Sequence, residues 1–324
     1  MCGIIYMHDR KAVHKRLLQR YADQRSRGNE GFGFVSFTAG TLKTYKRFQT
    51  EGSMRKALAK INDTHVLFHH RYPTSTENIV ETAHPIKVSH PELQYDYYVT
   101  HNGVISNPGT LKTKHEALGY TYTTALTIQY KAANGTVYNG GTQFNDTEAL
   151  AIELARNIEL GTPIMACGSA AFIVLKVRKG GKKVLALIYG TNGGNPLTID
   201  RTRHGLVIAS QGGHETVPAM IMYTIDLKTN ITSSTVLDMA GYPVKSQYVG
   251  YAYPTMYDNE VPDAEAIDYD NDQLTELQNM LVAIDEDIKI AKLLDEKEEL
   301  ENLEIEKEGI LTSLYAHTHD FNDF

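Results

Sequence analysis

Residues 1–9 read MCGIIYMHD: one of only two cysteines in a 324-residue chain stands directly behind the initiator methionine. GIIY (3–6) is apolar and β-prone and predicts a short buried strand, which would carry residue 2 into the fold. Methionine aminopeptidase removes Met1 when the next side chain is small, and cysteine qualifies. Mature Cys2 would then carry a thiol with pKa about 8.5 beside an α-amine with pKa about 7.7–8.0. One residue would supply nucleophile and base together, through a water and with no histidine partner.

Working outward, KAVHKRLLQRYADQR (11–25) has helical spacing at Val13, Leu17, Leu18 and Tyr21, and Gly28 breaks it. GFGFVSF (31–37) alternates as a strand, and further strands are predicted at 42–48, 65–70 and 97–101. DTEALAIELARNIE (146–159) reads as a helix capped by Asp146 or Thr147. Strands follow at 169–177, 183–190 and 205–210, then a hairpin turning at Lys228-Thr229-Asn230. Many strands with few helices between them make the fold class α+β. Cys167, in the apolar stretch 167–175, reads as an inert core thiol.

Composition narrows the function classes. A net charge of −7 argues against binding a nucleic-acid backbone. The most apolar stretch ends at Lys176, too short to span a bilayer, and residues 1–20 lack the apolar core of a secretion signal. Two cysteines cannot build a disulfide framework. A cytoplasmic enzyme or binding protein is the expectation, with no membrane or nucleic-acid partner.

Five stretches in order carry the chemistry: Cys2-Gly3-Ile4, SRGNEGFGF (26–34), FHHRYPTST with TAHPI (68–76, 82–86), VTHNGVISN (99–107) and FNDTEALAIEL (144–154). Together they resemble the class II glutamine amidotransferases, whose glutaminase domain uses an N-terminal nucleophile. The glutaminase domain of glucosamine-6-phosphate synthase is the member most like it. The resemblance continues through YGTNGGNPLTID (189–200) and LVIASQ (206–211), covering roughly residues 2–238. It implies a four-layer αββα sandwich of the N-terminal-nucleophile hydrolase type, L-glutamine as substrate, and no metal or organic cofactor.

It also implies roles by position. Cys2 attacks the side-chain amide, and the Asn102 amide with the Gly103 N–H meets the oxyanion. Arg71 offers the planar fork that a substrate carboxylate wants. Thr74 and the Tyr72 backbone add contacts to the head, and Asp146 takes its ammonium. Arg27 organises the first strand, and His84, His101 and His69 are supporting hydrogen-bonders. His70 matches no family position and is expected to be packed or exposed. The pattern departs where the family's tryptophan is Tyr72, where its His-Gly is Ser75-Thr76, and at Lys87 of HP-x-Lys. None of these removes a residue with a direct chemical role.

After residue 240 the composition shifts. Residues 241–272 are rich in Tyr, Pro and Asp and read as a linker; 273–316 read as an amphipathic helix or helical hairpin, and 317–324 as a tail. The helical stripe either packs on its own domain, mediates self-association or docks a partner. No phosphate-cradling loop follows, so the ammonia acceptor is expected on a separate chain docked through 241–324. Two other classes stay open: an N-terminal-cysteine amidase acting on penicillin or conjugated bile acids, and a non-catalytic glutamine-binding scaffold.

Overall fold

The structure is a computed structural model that describes residues 2–9, 13–72, 79–131, 137–202 and 205–239, with Ile288 and Lys307. The chain divides into two units, Met1–Val249 and Gly250–Phe324, and all the elements below lie in the first.

The first half runs β1 (Gly3–Asp9), α1 (His14–Asp23), β2 (Phe32–Thr38), β3 (Thr41–Phe48), α2 (Glu51–Leu58), β4 (His65–His70), β5 (Ile86–Val88), β6 (Tyr95–Ile105) and α3 (Pro108–Ala117). The second runs β7 (Leu126–Lys131), β8 (Val137–Gln143), α4 (Asp146–Leu160), β9 (Gly168–Arg178), β10 (Val184–Thr191), β11 (Thr198–Thr202), β12 (Gly205–Ala209), β13 (Glu215–Thr216), β14 (Ile221–Asp226) and β15 (Thr232–Val236). One seven-stranded sheet has the order β13-β11-β12-β1-β4-β2-β3, and a six-stranded sheet has the order β15-β14-β10-β9-β6-β5. Strands β7 and β8 form a hairpin of their own. The named strands pair antiparallel throughout.

The period-2 alternation of side chains explains why these strands read as continuous apolar runs. In β1, Ile4 and Tyr6 join a core shared with Leu67, Tyr98, Ile173, Leu187 and Ile208, drawn from both sheets. Ile5 and Met7, on the other face, pack with Phe68 and with Leu17 and Tyr21 of α1 and Met54 and Leu58 of α2. The far face of the six-stranded sheet, through Tyr97, Val99, Phe172 and Ile188, packs on Leu111 of α3 and Leu150 and Leu154 of α4. Each such side chain contributes about 1.5–3 kcal/mol relative to exposure, so a β1 covered on both faces is anchored firmly at the start of the chain.

Some expectations need correction. The N-cap of α4 is Asn145, not Asp146 or Thr147: its side chain accepts the Thr147 N–H at 3.0 Å. The Asp146 carboxylate is thereby left for another partner. Cys167 precedes β9 and is only half-buried, its Sγ 3.7 Å from the Met165 carbonyl, so it is not a core thiol. The helix expected over 11–25 is α1 followed by a 3-10 turn, Arg25–Arg27. The 226–230 turn is as expected, with the Asp226 carboxylate accepting from the N–H groups of Lys228 and Thr229. The expected linker (241–272) and tail (317–324) lie outside the described residues. Of 273–316 only Ile288 and Lys307 are described, both helical, with Ile288 buried.

Candidate active site

Residue 2 is placed by the pairing of β1. Gly3 stands opposite His70 and Ile4 opposite His69, so the residue before β1 lies beside the residue after β4, and Cys2 meets Arg71. Three further contacts fix this end of the chain. Ser210 accepts the Ile4 N–H on Oγ at 3.0 Å and donates its own N–H to the Ile4 carbonyl at 3.0 Å. Arg27 donates from Nε to the Cys2 carbonyl at 3.1 Å. The Cys2 thiol lies 3.7 Å from the Tyr72 carbonyl. Cys2 as a residue is half-buried, but its sulfur is desolvated. That burial pushes the thiol up from its ordinary value, while a backbone hydrogen bond at Tyr72, the chain amine and Arg71 pull it down.

Arg71 is buried, and its Nη1 donates to the Thr82 hydroxyl at 3.0 Å. Its backbone is held on both sides: its N–H donates to the Gly31 carbonyl at 2.8 Å, and its carbonyl accepts from Glu30 at 3.0 Å. Burial draws the guanidinium pKa down, against the attraction of Cys2, Asp146 and Glu30. Tyr72 is 41% exposed beside it. Thr74 lies outside the described residues.

The second sheet contributes the other wall. Asn102 and Gly103 sit in β6, paired with Ala171 and Ala170 of β9. Strand β5 reaches only Tyr97–Val99, so it ends before this dipeptide. The Asn102 side chain is buried, and its Nδ2 has no hydrogen-bond partner. Buried amide donors are rarely left so, and one aimed at a site invites an acceptor. Gly103 has φ +151°, and a Cβ there would overlap the Ser169 carbonyl, so only glycine fits.

Asp146, first residue of α4, is buried; its Oδ2 accepts the Ile105 N–H at 2.8 Å, tying the helix start to β6. His101 bridges the same two elements, Nδ1 to the Thr147 hydroxyl at 2.9 Å and Nε2 to the Ser169 carbonyl at 3.2 Å. Burial lowers its pKa, with Asp146 opposing. His84 is 3.2 Å from the Asn145 amide, and its ring lies 4.0 Å from that of His69. Both are held well below the ordinary value, first by burial and then by the repulsion that protonation would set up with neighbouring imidazoles, His84 acting on His69 and His101 on His84. His84 therefore serves as a neutral hydrogen-bonder to Asn145, whereas both ring nitrogens of His69 are buried without a hydrogen-bond partner, so the expected hydrogen-bonding role does not hold for His69. Among the described residues no cluster of three or more His, Cys, Asp or Glu is arranged to hold a metal ion. No helix among them is long and apolar enough to cross a membrane.

The structure thus brings Arg27, Arg71 and Tyr72 to Cys2 from one sheet and sets Asp146, on the helix of the other, near enough to act on both Cys2 and Arg71. His101, Asn102 and Gly103 lie on the same strand as Ile105, whose N–H Asp146 accepts. Sequence reasoning missed Thr82 and Asn145, and gave Thr147 only as a possible cap. The pattern Asn-x-x-Glu at 145–148 could have marked Asn145 as a cap. The Glu148 side chain here accepts instead from the backbone and hydroxyl groups of Thr123 and Thr124.

No family model matches the chain. A stretch of 126 residues, 38% of the chain, is 29% identical to glutamine–fructose-6-phosphate aminotransferase (isomerizing) of Rhizobium meliloti. The chain spans only 20% of that relative's length. In fold it is similar to glutamine phosphoribosylpyrophosphate amidotransferase of B. subtilis complexed with ADP and GMP, with a TM-score of 0.50 and 18% identity over 73% of this chain and 49% of the other. It is similar also to the structure titled as the allosteric regulatory enzyme of purine biosynthesis, with a TM-score of 0.51 and 17% identity over 74% and 50%.

Proposed function

We propose that this chain, which resembles the class II glutamine amidotransferases in sequence and in fold, hydrolyses the side-chain amide of L-glutamine and passes the ammonia to an acceptor enzyme on a separate chain. Its two helix-covered sheets are read as the αββα sandwich of N-terminal-nucleophile hydrolases. The observation that carries the reading is the nearness of Cys2, Arg71 and Asp146, drawn from the two sheets. The buried Asn102 Nδ2, with no partner of its own, supports it as a donor still to be used.

In this reading Met1 is removed and the freed Cys2 amine takes the thiol proton through a water. The thiolate adds to the amide carbon, and the charge that develops on oxygen is met by Asn102 Nδ2 and the Gly103 N–H. Such a preorganised donor contributes about 2.7–4 kcal/mol to barrier lowering. The ammonium of Cys2 then protonates the leaving nitrogen, the C–N bond breaks, and ammonia departs from a γ-glutamyl thioester. Water adds to the thioester, with the amine again taking a proton, and glutamate leaves as the thiol is restored. Arg71 pairs with the substrate carboxylate, supported by Thr74 and the Tyr72 backbone, and Asp146 pairs with its ammonium. Arg27 holds the nucleophile's strand. No step uses a metal or organic cofactor. Residues 241–324 are the proposed docking element for the acceptor.

The test compares wild type, shown by intact mass to begin at Cys2, with Cys2→Ala. Glutamate release by wild type, its loss in the variant, and covalent labelling of Cys2 by diazo-oxo-norleucine are the expected results. Correctly trimmed protein that is neither active nor labelled, even beside its acceptor, overturns the reading.

A further inference from the structure

We propose that Asn145 and Thr82 are positioning residues that set the separation of Arg71 from Asp146, and with it the fit of the substrate's amino-acid head. The inference rests on the reading of Arg71 and Asp146 as the head-binding pair.

The connection can be followed atom by atom. Asn145 caps α4 through Oδ1, which accepts from Thr147, and so fixes the helix start on which Asp146 stands. The same amide donates from Nδ2 to the Thr82 carbonyl at 2.8 Å. The Thr82 hydroxyl accepts from Arg71 Nη1 at 3.0 Å and donates to the Ile79 carbonyl at 3.0 Å. Two hydrogen bonds, joined through residue 82 itself, therefore span from the proposed ammonium holder on one sheet's helix to the proposed carboxylate holder on the other sheet. Arg71, Thr82, Asn145 and Asp146 are all buried, so the bridge is shielded from competing water.

The residue types follow from the double duty. Serine, threonine or aspartate would cap α4 as well as asparagine does. Aspartate has no proton to give, and a serine or threonine hydroxyl would have to cap and donate through one short-armed oxygen, whereas the amide does the two from separate atoms farther from the backbone. At position 82 the hydroxyl must accept from a guanidinium while donating onward, which valine, of the same shape, cannot do. With either link gone, the two holders keep their backbone anchors but lose their mutual spacing.

Asn145→Ser keeps a cap and removes the donor to Thr82; Thr82→Val removes the acceptor for Arg71; Thr82→Ser keeps it. Each is made in the full chain, with Met1 removal verified by mass. Glutamine kinetics, thermal melting, and the alkylation rate of Cys2 by iodoacetamide, which has no amino-acid head, are measured. The expected result is a KM for glutamine raised about 10-fold or more in Asn145→Ser and Thr82→Val, with kcat within about 3-fold. Thr82→Ser stays near wild type and alkylation is unchanged. An unchanged KM in both disruptive variants overturns the inference while leaving the glutaminase reading intact. So does alkylation that slows in step with kcat/KM, since that is general disorder of the site. If Asn145→Ser does not fold, the contrast between Thr82→Val and Thr82→Ser decides alone. Wild type that hydrolyses no glutamine removes the glutaminase reading itself, and the inference with it.

Discussion

Arg27 reaches back across the fold to hold the carbonyl of Cys2, its Nε 3.1 Å from that oxygen. Its Nη1 donates to the Gln211 side chain at 3.3 Å, and Gln211 donates to the Asp23 carbonyl at 2.9 Å. Residue 2 is thus gripped by Arg27, which follows α1 and is itself braced by Gln211 in the loop after β12. A nucleophile at a chain start has a free end and loses torsional order easily. If Cys2 is the proposed N-terminal nucleophile, Arg27 on its carbonyl replaces the anchoring that a preceding residue would give.

Arg27→Met should therefore lower kcat/KM for glutamine about 10- to 100-fold, since a hydrogen bond from a charged group contributes about 1.5–3 kcal/mol. Arg27→Lys should recover only part of this, because an ammonium cannot serve the Cys2 carbonyl and Gln211 with the fixed fork of a guanidinium. Steady-state assays on the three proteins check both statements. Equal activity in Arg27→Met would show the carbonyl is held well enough by β1 alone.

Asn102 separates function from stability. In the proposed role its Nδ2 is a donor for the reacting oxygen, and being without a partner it makes no hydrogen bond that its removal would break in the resting fold. Asn102→Ala should melt within a few degrees of wild type, yet hydrolyse glutamine about 10²–10³-fold more slowly in kcat, the usual effect of deleting an oxyanion donor. Paired melting curves and kinetics test this. A large fall in melting temperature with modest kinetic loss would mark Asn102 as a structural residue.

The parts of this molecule legible in its sequence are those where one local pattern carries the information. The strands covered on both faces, such as β1, β9 and β10, announce themselves as apolar runs. Cys2, Arg71 and Asn102 were singled out by five stretches in order, each weak alone, and their roles remain those of the proposal. Helix α2 went unseen because it is eight residues long with only Met54 and Leu58 buried. Helix α3 buries only Leu111 and His115, too little for a periodic signal. The order β13-β11-β12-β1-β4-β2-β3 arises from pairings between distant segments. Thr82 was invisible for the same reason: its role lies in hydrogen bonds to residues 71 and 145, and no spacing rule joins them.

The buried histidines make stability depend on pH. Burial holds His70 at about 4, below its ordinary 6.5. It holds His65 at about 3, with His8 adding to the effect. Where the folded value lies below the unfolded one, the unfolded chain binds more protons in between. The stabilisation is full above pH 6.5 and is withdrawn as pH falls toward the folded value, by about 1.4 kcal/mol per pH unit for each such histidine. Urea unfolding at pH 7, 6 and 5 should therefore show a steep loss. His70→Asn, which keeps a donor for the Gly28 carbonyl that His70 Nδ1 contacts at 2.5 Å, should flatten the slope. An unchanged slope in that variant would mean His70 titrates normally in the fold.

Gly3 and His70 should prove strongly coupled. They face each other across β1 and β4, and a Cβ built on Gly3 would overlap Nε2 of the His70 ring. That ring has no room to retreat: it is fully buried, held at Nδ1 by the Gly28 carbonyl and packed edge-on to Tyr21 at 5.0 Å between centroids. Gly3→Ala should cost about 1–3 kcal/mol, as overpacking of a core does, and should slow alkylation of Cys2 by displacing the residue next to it. His70→Ala opens the space, so the double variant should be more stable than the sum of the single effects predicts, with a coupling of about 0.5–3 kcal/mol. Denaturant unfolding of the four proteins closes the cycle. Strict additivity would show that the overlap is relieved by a shift of the β1 backbone and not at the His70 ring, so that the two residues are not coupled.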